Sequence, residues 1–322
     1  MPASESNDEA PLEDCWYLSG PTAVGKTGVA LALAEQLEAE VLSVDSMAVY
    51  RGMDIGTAKP TATEQAQVPH HLIDLVEPTA DFSVAEFRAR AVEKVREVRA
   101  RGREPLFVGG TPLYLKCLLR GLFDGPPADW RLRQEIEQEL EQVGADALHQ
   151  RLTQVDPVAA SQIHANDTRR LVRALEVYRA TGQPISHQQM EFEDSRPPEA
   201  CRVFVLQRPR EVLHQRIEHR VEQMIDMGLV DEVLGLTANN QSLGRTASQA
   251  VGYREVLEHL AGGYDMPATI ERIKARTRRF AKRQGTWFRG LEECRFIELT
   301  DDEPSEAIAE RIVAAGRNDQ PA

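Results

Sequence analysis

The sequence predicts an α/β fold in which a parallel sheet flanked by helices is interrupted by an all-helical insertion. Three observations lead to this prediction. Residues 20–27 match a phosphate-binding loop, short apolar segments alternate with helical segments over residues 16–119, and residues 129 to about 189 carry helical signals alone. With 322 residues, the chain is long enough for one large domain or two smaller ones.

The phosphate-binding loop is the strongest of these signals. Residues 20–27 read G-P-T-A-V-G-K-T and match the motif G-x-x-x-x-G-K-[ST]. The apolar residues 16–18 predict a strand before the loop, and the Ala/Leu-rich residues 28–37 predict a helix after it. A glycine-containing turn that matches by chance would not need this context. We therefore predict that a phosphate or diphosphate is bound by Gly20, Pro21, Thr22, Ala23, Val24, Gly25, Lys26 and Thr27.

The residue types of the loop suit an anion. The two glycines let the backbone curl so that its N–H groups point at the phosphates. The start of the following helix adds partial positive charge, and Lys26 adds a full charge. The hydroxyl group of Thr27 is a candidate ligand for Mg²⁺.

The segments after the loop continue the strand–helix alternation. Residues 40–44 predict a strand that ends at Asp45, and residues 105–108 predict a strand that ends just before Thr111. Helices are predicted at 83–101, where Ser83 begins a capping box, and at 112–119. Alternation of this kind is typical of a parallel sheet, whose functional groups collect at the carboxyl ends of the strands. A P-loop NTPase-like sheet with Asp45 and Thr111 on the same rim as the phosphate loop is therefore expected.

The domain organisation follows from a change of pattern near residue 126. Helices are predicted at 131–143, 145–153, 157–164 and 168–181, after which a strand at 202–206 and a helix at 209–227 resume the first pattern. The predicted organisation is a disordered acidic leader at 1–14, a discontinuous core at 15–125 and 196–316, a helical insertion domain at 126–195 and a tail at 317–322.

Composition narrows the class of protein. A formal net charge of −13 argues weakly against nucleic-acid binding. The acidic N-terminus and the lack of a long apolar run predict a cytoplasmic protein without membrane contact, and a monomer is the default expectation.

The four scattered cysteines predict neither a zinc site nor disulfides, and the pair His70–His71 is interpreted as structural because a third metal ligand is missing.

Three basic groups stand out against this acidity. Residues 272–289 contain eight Lys or Arg residues and no acid, with Phe280, Trp287 and Phe288 among them. Such a mixture suits phosphate contacts beside base stacking, although a solvated helix face gives the same pattern. Arg169, Arg170 and Arg173 form a weaker cluster in the insertion. Arg216 and Arg220 share a helix face, either as a clamp over the phosphate loop or as surface partners of Glu218 and Glu222.

At this point the motifs amount to a family resemblance. Residues 20–27, 43–60, 69–74, 108–114, 251–254 and 282–289 resemble those of tRNA dimethylallyltransferases, in the right order over about residues 15–300. The resemblance implies transfer of a dimethylallyl group from dimethylallyl diphosphate to N6 of the adenosine at position 37, beside the tRNA anticodon, with Mg²⁺ as cofactor. Ala48 stands where many members have glutamine, in a stretch implied to contact tRNA.

The resemblance also implies roles for individual residues. Asp45, Lys26, Thr27 and Arg220 are the predicted catalytic residues, and Thr27 and Asp45 are the predicted metal ligands. The predicted contacts with the tRNA anticodon stem-loop are Asp45, Ser46, Met47, Ala48, Thr111, Arg133, Arg169, Arg170, Leu171, Val172, Arg173, Gln249, Ala250, Val251, Gly252, Tyr253, Arg254, Lys282, Arg283, Gln284, Gly285, Thr286, Trp287, Phe288 and Arg289.

The chemistry of the transfer explains why these residue types are needed. The exocyclic amine of adenine is a poor nucleophile, so attack on the allylic carbon needs a stabilised leaving group and a base for the amine proton. Fixed donors and cations around the loop stabilise the departing diphosphate. Asp45 is the candidate general base, and the alternative is that it holds Mg²⁺ through water.

Three other functions compete with this interpretation. A small-molecule kinase would use the same loop, but no apolar strand ends in Asp-Asp or Asp-Glu. An isopentenyltransferase acting on free AMP or ADP would not need the helical insertion or the basic aromatic segment. A non-catalytic RNA-binding module would need neither the Lys26–Thr27 pair nor Asp45. Each feature favours the tRNA-modifying enzyme.

Overall fold

A computed structural model describes residues 12, 14–121, 125–126, 128–189, 195–238, 242–300 and 303–317. The chain divides into two compact units, one formed by Met1–Leu119 with Ser195–Ala322 and the other by Arg120–Asp194. The predicted leader at 1–14 and tail at 317–322 fall almost entirely outside the described residues.

The first unit is built on a six-stranded parallel sheet, which confirms the predicted fold class. Its strands lie in the order β3-β2-β4-β1-β5-β6, and every neighbouring pair is parallel. Their bounds are β1 Trp16–Ser19, β2 Ala39–Ser43, β3 His70–His71, β4 Glu104–Gly109, β5 Val203–Gln207 and β6 Cys294–Glu298. Strands β3 and β6 were not predicted, because β3 is only two residues long and β6 carries polar residues between its apolar ones.

Helices cover both faces of this sheet. They are α1 Lys26–Leu37, α2 Ala62–Gln67, α3 Val84–Ala100 and α4 Pro112–Arg120 before the insertion. One face of the sheet packs on α3 and α4 through a cluster that includes Tyr17, Phe107 and Phe87. The other face packs on α1 through Leu18 and Leu33. Tyr17 and Leu18 face opposite sides because side chains alternate along a strand. The capping box predicted at Ser83 is present.

The second unit is helical throughout its described part. Its helices are α5 Trp130–Val143, α6 Ala145–Val155, α7 Pro157–Gln162, α8 Thr168–Thr181 and α9 Ile185–Gln189. They enclose a core of their own that includes Ile136, Leu148, Leu152, Leu171 and Leu175. Apolar side chains recur every three or four residues in α5, α6 and α8, so each helix buries one stripe.

The remaining helices return to the first unit. They are α10 Arg210–Asp226, α11 Leu229–Leu236, α12 Tyr253–Leu260, α13 Met266–Arg289 and α14 Ser305–Arg317. A third apolar cluster joins α10–α13 to the segment that follows β2, through residues such as Tyr50, Met53, Val221 and Tyr253. This cluster fixes the chain just beyond Asp45. Helix α14 packs beside α1 on the second face of the sheet.

The structure also bears on the predictions made for the histidine pair, the cysteines and membrane contact. His71 contacts the carboxylate of Glu40 at 2.5 Å and His70 contacts the carbonyl of Val68 at 2.7 Å, so both have structural partners. The four cysteines are buried and form no disulfide among the described residues. Within the same ranges, no helix combines the length and apolarity needed to cross a membrane.

Candidate active site

The phosphate loop runs from the end of β1 into the start of α1. Gly20 and Gly25 have φ angles of 142° and 111°, which residues with a side chain rarely adopt. A Cβ atom on Gly20 would also lie 2.8 Å from the carbonyl oxygen of Leu206. Both glycines are therefore required by the backbone, and Gly25 is the residue from which α1 begins.

Lys26 is held by the loop itself. Its Nζ donates hydrogen bonds to the carbonyl oxygens of Gly20 at 2.9 Å and Pro21 at 2.8 Å. Burial, and next the nearby charge of Arg220, lower the pKa of Lys26 to about 7, and the charge of Asp45 opposes this shift. Among the described residues no carboxylate is bonded to Lys26, so an anion entering the loop would stabilise the charged form of the lysine.

Helix α10 brings arginines to the loop. Burial lowers the pKa of Arg220, while the charge of Asp45 raises it. Arg216 Nε donates to the carbonyl oxygen of Ala23 at 2.9 Å. The acids proposed as their alternative partners pair with α13 instead: Glu218 with Arg278 at 2.6 Å and Glu222 with Lys274 at 2.7 Å. The clamp interpretation of α10 therefore fits the hydrogen bond that Arg216 makes with the loop and the influence of Arg220 on the pKa of Lys26.

Asp45 and Thr111 occupy the carboxyl ends of the neighbouring strands β2 and β4. Asp45 Oδ1 accepts hydrogen bonds from the backbone N–H groups of Met47 at 2.8 Å and Ala48 at 3.4 Å. Thr111 Oγ1 accepts one from Ser46 N at 3.0 Å. These bonds fix the Asp45 side chain by one oxygen. Asp45 and Thr111 thus lie at the same edge of the sheet as the phosphate loop, and the charge of Asp45 raises the pKa of both Lys26 and Arg220.

A cavity of about 620 Å³ borders the loop and has Pro21 in its wall. Its described lining contains no Asp or Glu but six basic residues, namely Arg208, Arg210, Arg278, Arg279, Lys282 and Arg289. In a chain with a net charge of −13, this concentration of positive charge favours anionic ligands beside the phosphate loop.

Comparisons with known proteins decide the family. A family model described as IPP transferase matches residues 48–291. The tRNA dimethylallyltransferase of Rhodopirellula baltica is 52% identical over 304 residues, which cover 91% of each chain. This chain belongs to the tRNA dimethylallyltransferase family. The enzyme of that name from Pelotomaculum thermopropionicum is 43% identical over 96% of this chain and 97% of its own.

Solved structures agree with this assignment. A full-length tRNA isopentenylpyrophosphate transferase from Bacillus halodurans has a TM-score of 0.68 at 39% identity, covering 95% of this chain and 98% of that one. A eukaryotic dimethylallyltransferase described as acting on tRNA has a TM-score of 0.77 at 27% identity, with 95% and 80% covered.

Some residues for which tRNA contact was predicted from the family lie in the protein core. Leu171, Tyr253 and Phe288 have no exposed surface, so an RNA strand cannot reach their side chains and the prediction is corrected for them. Each packs in an apolar cluster of its own unit. Four more of the predicted contacts are buried with 4–7% of their surface exposed, namely Ala48, Val172, Ala250 and Gln284. Contact with tRNA at these residues stays a prediction. Gly252 is also buried.

The other predicted contacts have accessible surface, and their roles stay predictions. In the first unit the exposed ones are Gln249, Arg254, Lys282, Arg283, Thr286, Trp287 and Arg289, and those partly buried are Asp45, Ser46, Met47, Thr111, Val251 and Gly285. In the second unit Arg169 and Arg170 are exposed, whereas Arg133 and Arg173 are partly buried.

The basic segment 272–289 contains cations with an ion-pair partner and cations for which the described ranges show none. Some of its cations pair with acids on other helices, as Arg276 does with Glu255 at 2.7 Å. Arg279 and Lys282 are exposed, and neither has an ion pair within the described ranges. Only part of α13 therefore keeps charge available for an RNA backbone, while the paired part holds the helix in place.

Sequence reasoning missed Glu232, which organises the segment after β2. Its carboxylate accepts hydrogen bonds from the backbone N–H groups of Asp54 at 2.9 Å, Ile55 at 2.7 Å and Gly56 at 3.3 Å. It also accepts one from the hydroxyl group of Tyr253. A glutamate in the first turn of α11 looks like an ordinary surface residue, so no local signal pointed to a partner almost 180 residues away.

Proposed function

We propose that this protein transfers the dimethylallyl group of dimethylallyl diphosphate to N6 of the adenosine at position 37 of tRNA and releases diphosphate. The observation that carries the proposal is the grouping of Lys26, Arg220 and Asp45 on the rim of the phosphate loop, where their charges influence one another. Two cations and a loop of N–H groups suit a diphosphate, and a carboxylate beside them suits a proton acceptor.

The leaving group is stabilised by the loop. As the bond between the allylic carbon and the diphosphate oxygen breaks, negative charge builds on the diphosphate. Loop N–H groups, Lys26 and Arg220 would receive that charge from fixed positions, which is worth far more than the same contacts in water. The lowered pKa of Lys26 returns toward its ordinary range when the anion is bound, so the lysine is charged in the complex.

The amine of adenine is activated by Asp45. A bond forms between N6 and the allylic carbon, and the proton of N6 passes to a carboxylate oxygen of Asp45. Because Oδ1 of Asp45 is bonded to two backbone N–H groups, the side chain keeps its orientation, and the second oxygen would accept the proton. Unstacking one base of an anticodon loop costs a few kcal/mol, so N6 can reach the rim.

The donor set around the loop fits Mg²⁺. The described residues contain no cluster of three or more metal-ligating side chains, so a wholly protein-built metal site is not expected there. Magnesium usually takes one or two protein oxygens and completes its shell with phosphates and water. Thr27 and Asp45 would supply those protein oxygens, and the bound ion would neutralise part of the diphosphate charge.

The tRNA would be held by exposed basic residues on both units. In the first unit these are Arg279, Lys282 and Arg283 of α13, and in the second Arg169 and Arg170 of α8. Phosphate contacts of this kind give affinity that falls as salt is raised. A monomer stays the default expectation, and a tRNA substrate favours the cytoplasm.

The proposal is tested by incubating the protein with Mg²⁺, dimethylallyl diphosphate labelled in its allyl group, and one of three acceptors. These are an anticodon stem-loop with adenosine at position 37, the same RNA with guanosine there, and free AMP. Label is expected in the first RNA alone. Label in AMP would instead support a free-nucleotide transferase, and no label in any acceptor would overturn the proposal.

A further inference from the structure

The side chain of Gln284 lies on the inner side of α13, where only 4% of the residue is exposed. Its Nε2 donates a hydrogen bond to the carbonyl oxygen of Gly110 at 2.6 Å. Its Oε1 accepts one from the backbone N–H group of Thr22 at 2.9 Å. One amide group therefore bridges the end of β4 and the phosphate loop.

This bridge acts on the part of the loop that also holds Lys26. The lysine donates to the carbonyl oxygens of Gly20 and Pro21, and the next N–H group along the chain is the one bonded to Gln284. Peptide groups 20–22 are thus fixed by Lys26 on one side and by Gln284 on the other. A neutral amide can make both bonds at once, whereas an ionised carboxylate cannot donate and a cationic side chain cannot accept.

Gly110 makes room for this arrangement. A Cβ atom on Gly110 would lie 2.7 Å from Nε2 of Gln284, 3.3 Å from the carbonyl oxygen of Gly20 and 3.6 Å from Nζ of Lys26. A methyl group at this position would push the amide away from its two partners. The glycine therefore provides a second way to disturb the bridge without changing Gln284.

We propose that Gln284 is a positioning residue that sets the shape of the phosphate loop for the diphosphate and makes no tRNA contact. The proposal rests on the proposed function, because it assumes that the loop binds the diphosphate of the substrate. It separates Gln284 from its exposed neighbour Arg283, although the family resemblance assigned both to tRNA. Two adjacent residues of α13 would then serve different substrates.

The experiment compares Gln284→Met, Gly110→Ala and Arg283→Gln with the unchanged protein. Binding of inorganic diphosphate with Mg²⁺ and binding of an anticodon stem-loop are measured at one pH, together with kcat and KM for dimethylallyl diphosphate. Losing two hydrogen bonds to the loop should weaken diphosphate binding and raise KM about tenfold in Gln284→Met, with RNA binding within about twofold of the unchanged protein. Gly110→Ala should act in the same direction, and Arg283→Gln should weaken RNA binding alone.

The outcomes distinguish this inference from the function on which it rests. If the unchanged protein does not bind diphosphate, the proposed function fails. If it binds diphosphate, but Gln284→Met and Gly110→Ala bind it equally well, the positioning role is overturned. A Gln284→Met protein that loses RNA affinity with unchanged diphosphate affinity would return Gln284 to the tRNA contacts. Should Gln284→Met fail to fold, Gly110→Ala carries the same comparison.

Discussion

The phosphate loop and the helical unit both carry cations that were predicted to bind substrate, but these cations have different partners. Lys26 is bonded to the neutral carbonyl groups of Gly20 and Pro21. In the helical unit, Arg133 lies 2.8 Å from the carboxylate of Glu176 and Arg173 lies 3.0 Å from it. The charge of Lys26 is open to an anionic ligand, whereas the two arginines share one buried carboxylate.

This difference distinguishes cations that can bind a ligand from cations that stabilise the fold. Glu176 is 1% exposed, and a buried carboxylate is stable only when cations or N–H groups surround it. It accepts a further hydrogen bond from the backbone N–H group of Asp129 at 2.8 Å. The partner of a basic residue therefore says more about its role than its position in a basic cluster does.

The strongest test of this comparison changes the carboxylate on the rim of the phosphate loop. Asp45→Asn keeps the size of the side chain and its bonds to the backbone N–H groups, but asparagine cannot accept the proton of N6. We expect kcat to fall about 10²–10⁴-fold, with near-normal binding of dimethylallyl diphosphate and RNA. If raising Mg²⁺ restores turnover toward that of the unchanged protein, Asp45 acts as a metal ligand and the assignment as base is wrong.

The matching change in the helical unit is Glu176→Gln. It leaves Arg133 and Arg173 without their common carboxylate, so stability should fall by about 1–3 kcal/mol, a discounted figure because both arginines reach solvent in part. Urea unfolding followed by circular dichroism measures the loss. Diphosphate binding should stay unchanged, and a variant as stable as the unchanged protein would show that Glu176 does not hold the unit together.

The smallest effect is expected at Arg169, which is exposed and has no ion pair in the described part of the chain. Arg169→Gln should weaken binding of the anticodon stem-loop a few-fold and reduce the slope of log affinity against log salt by about one. Arg133→Gln is the comparison, because Arg133 is paired with the buried carboxylate of Glu176. Equal slopes for Arg169→Gln and the unchanged protein would rule out a phosphate contact.

The sequence predicted the parts of the fold that depend on local pattern. The strand–loop–helix unit at 16–37, helices α5–α8 of the second unit and the position of Asp45 at the end of β2 all follow from periodicity, glycine placement and turn chemistry. Helix α9 was not predicted, because five residues are too few to show a helical period. Strand β3 did not, since two residues carry no periodicity.

The sequence did not predict long-range partners. Gln284 and Thr22 are 262 residues apart, and nothing near either residue specifies the other. The burial of some predicted tRNA contacts was missed for a similar reason. The apolar pattern of α8 predicts that one stripe of the helix is buried. It does not show which of the residues matched to the family lie on that stripe. Leu171 and Val172 were grouped with the arginines around them, and only the packed core separates them.

The central claim is that the phosphate loop keeps a cation for the diphosphate, and the protonation of Lys26 tests it most directly. Since its pKa is lowered to about 7, most Lys26 side chains are neutral at pH 8 in the free protein. Binding of a diphosphate raises that pKa, so a proton must be taken up with the ligand, and affinity should fall as pH rises above about 7.

Titration calorimetry with dimethylallyl diphosphate at pH 8, in two buffers of different ionisation enthalpy, measures this uptake. The phosphate groups of the ligand are almost fully ionised at that pH. We expect uptake of close to one proton by the unchanged protein and almost none by Lys26→Met, which should also bind the ligand more weakly. Equal proton uptake by the two proteins would contradict the claim that Lys26 receives the charge of the diphosphate.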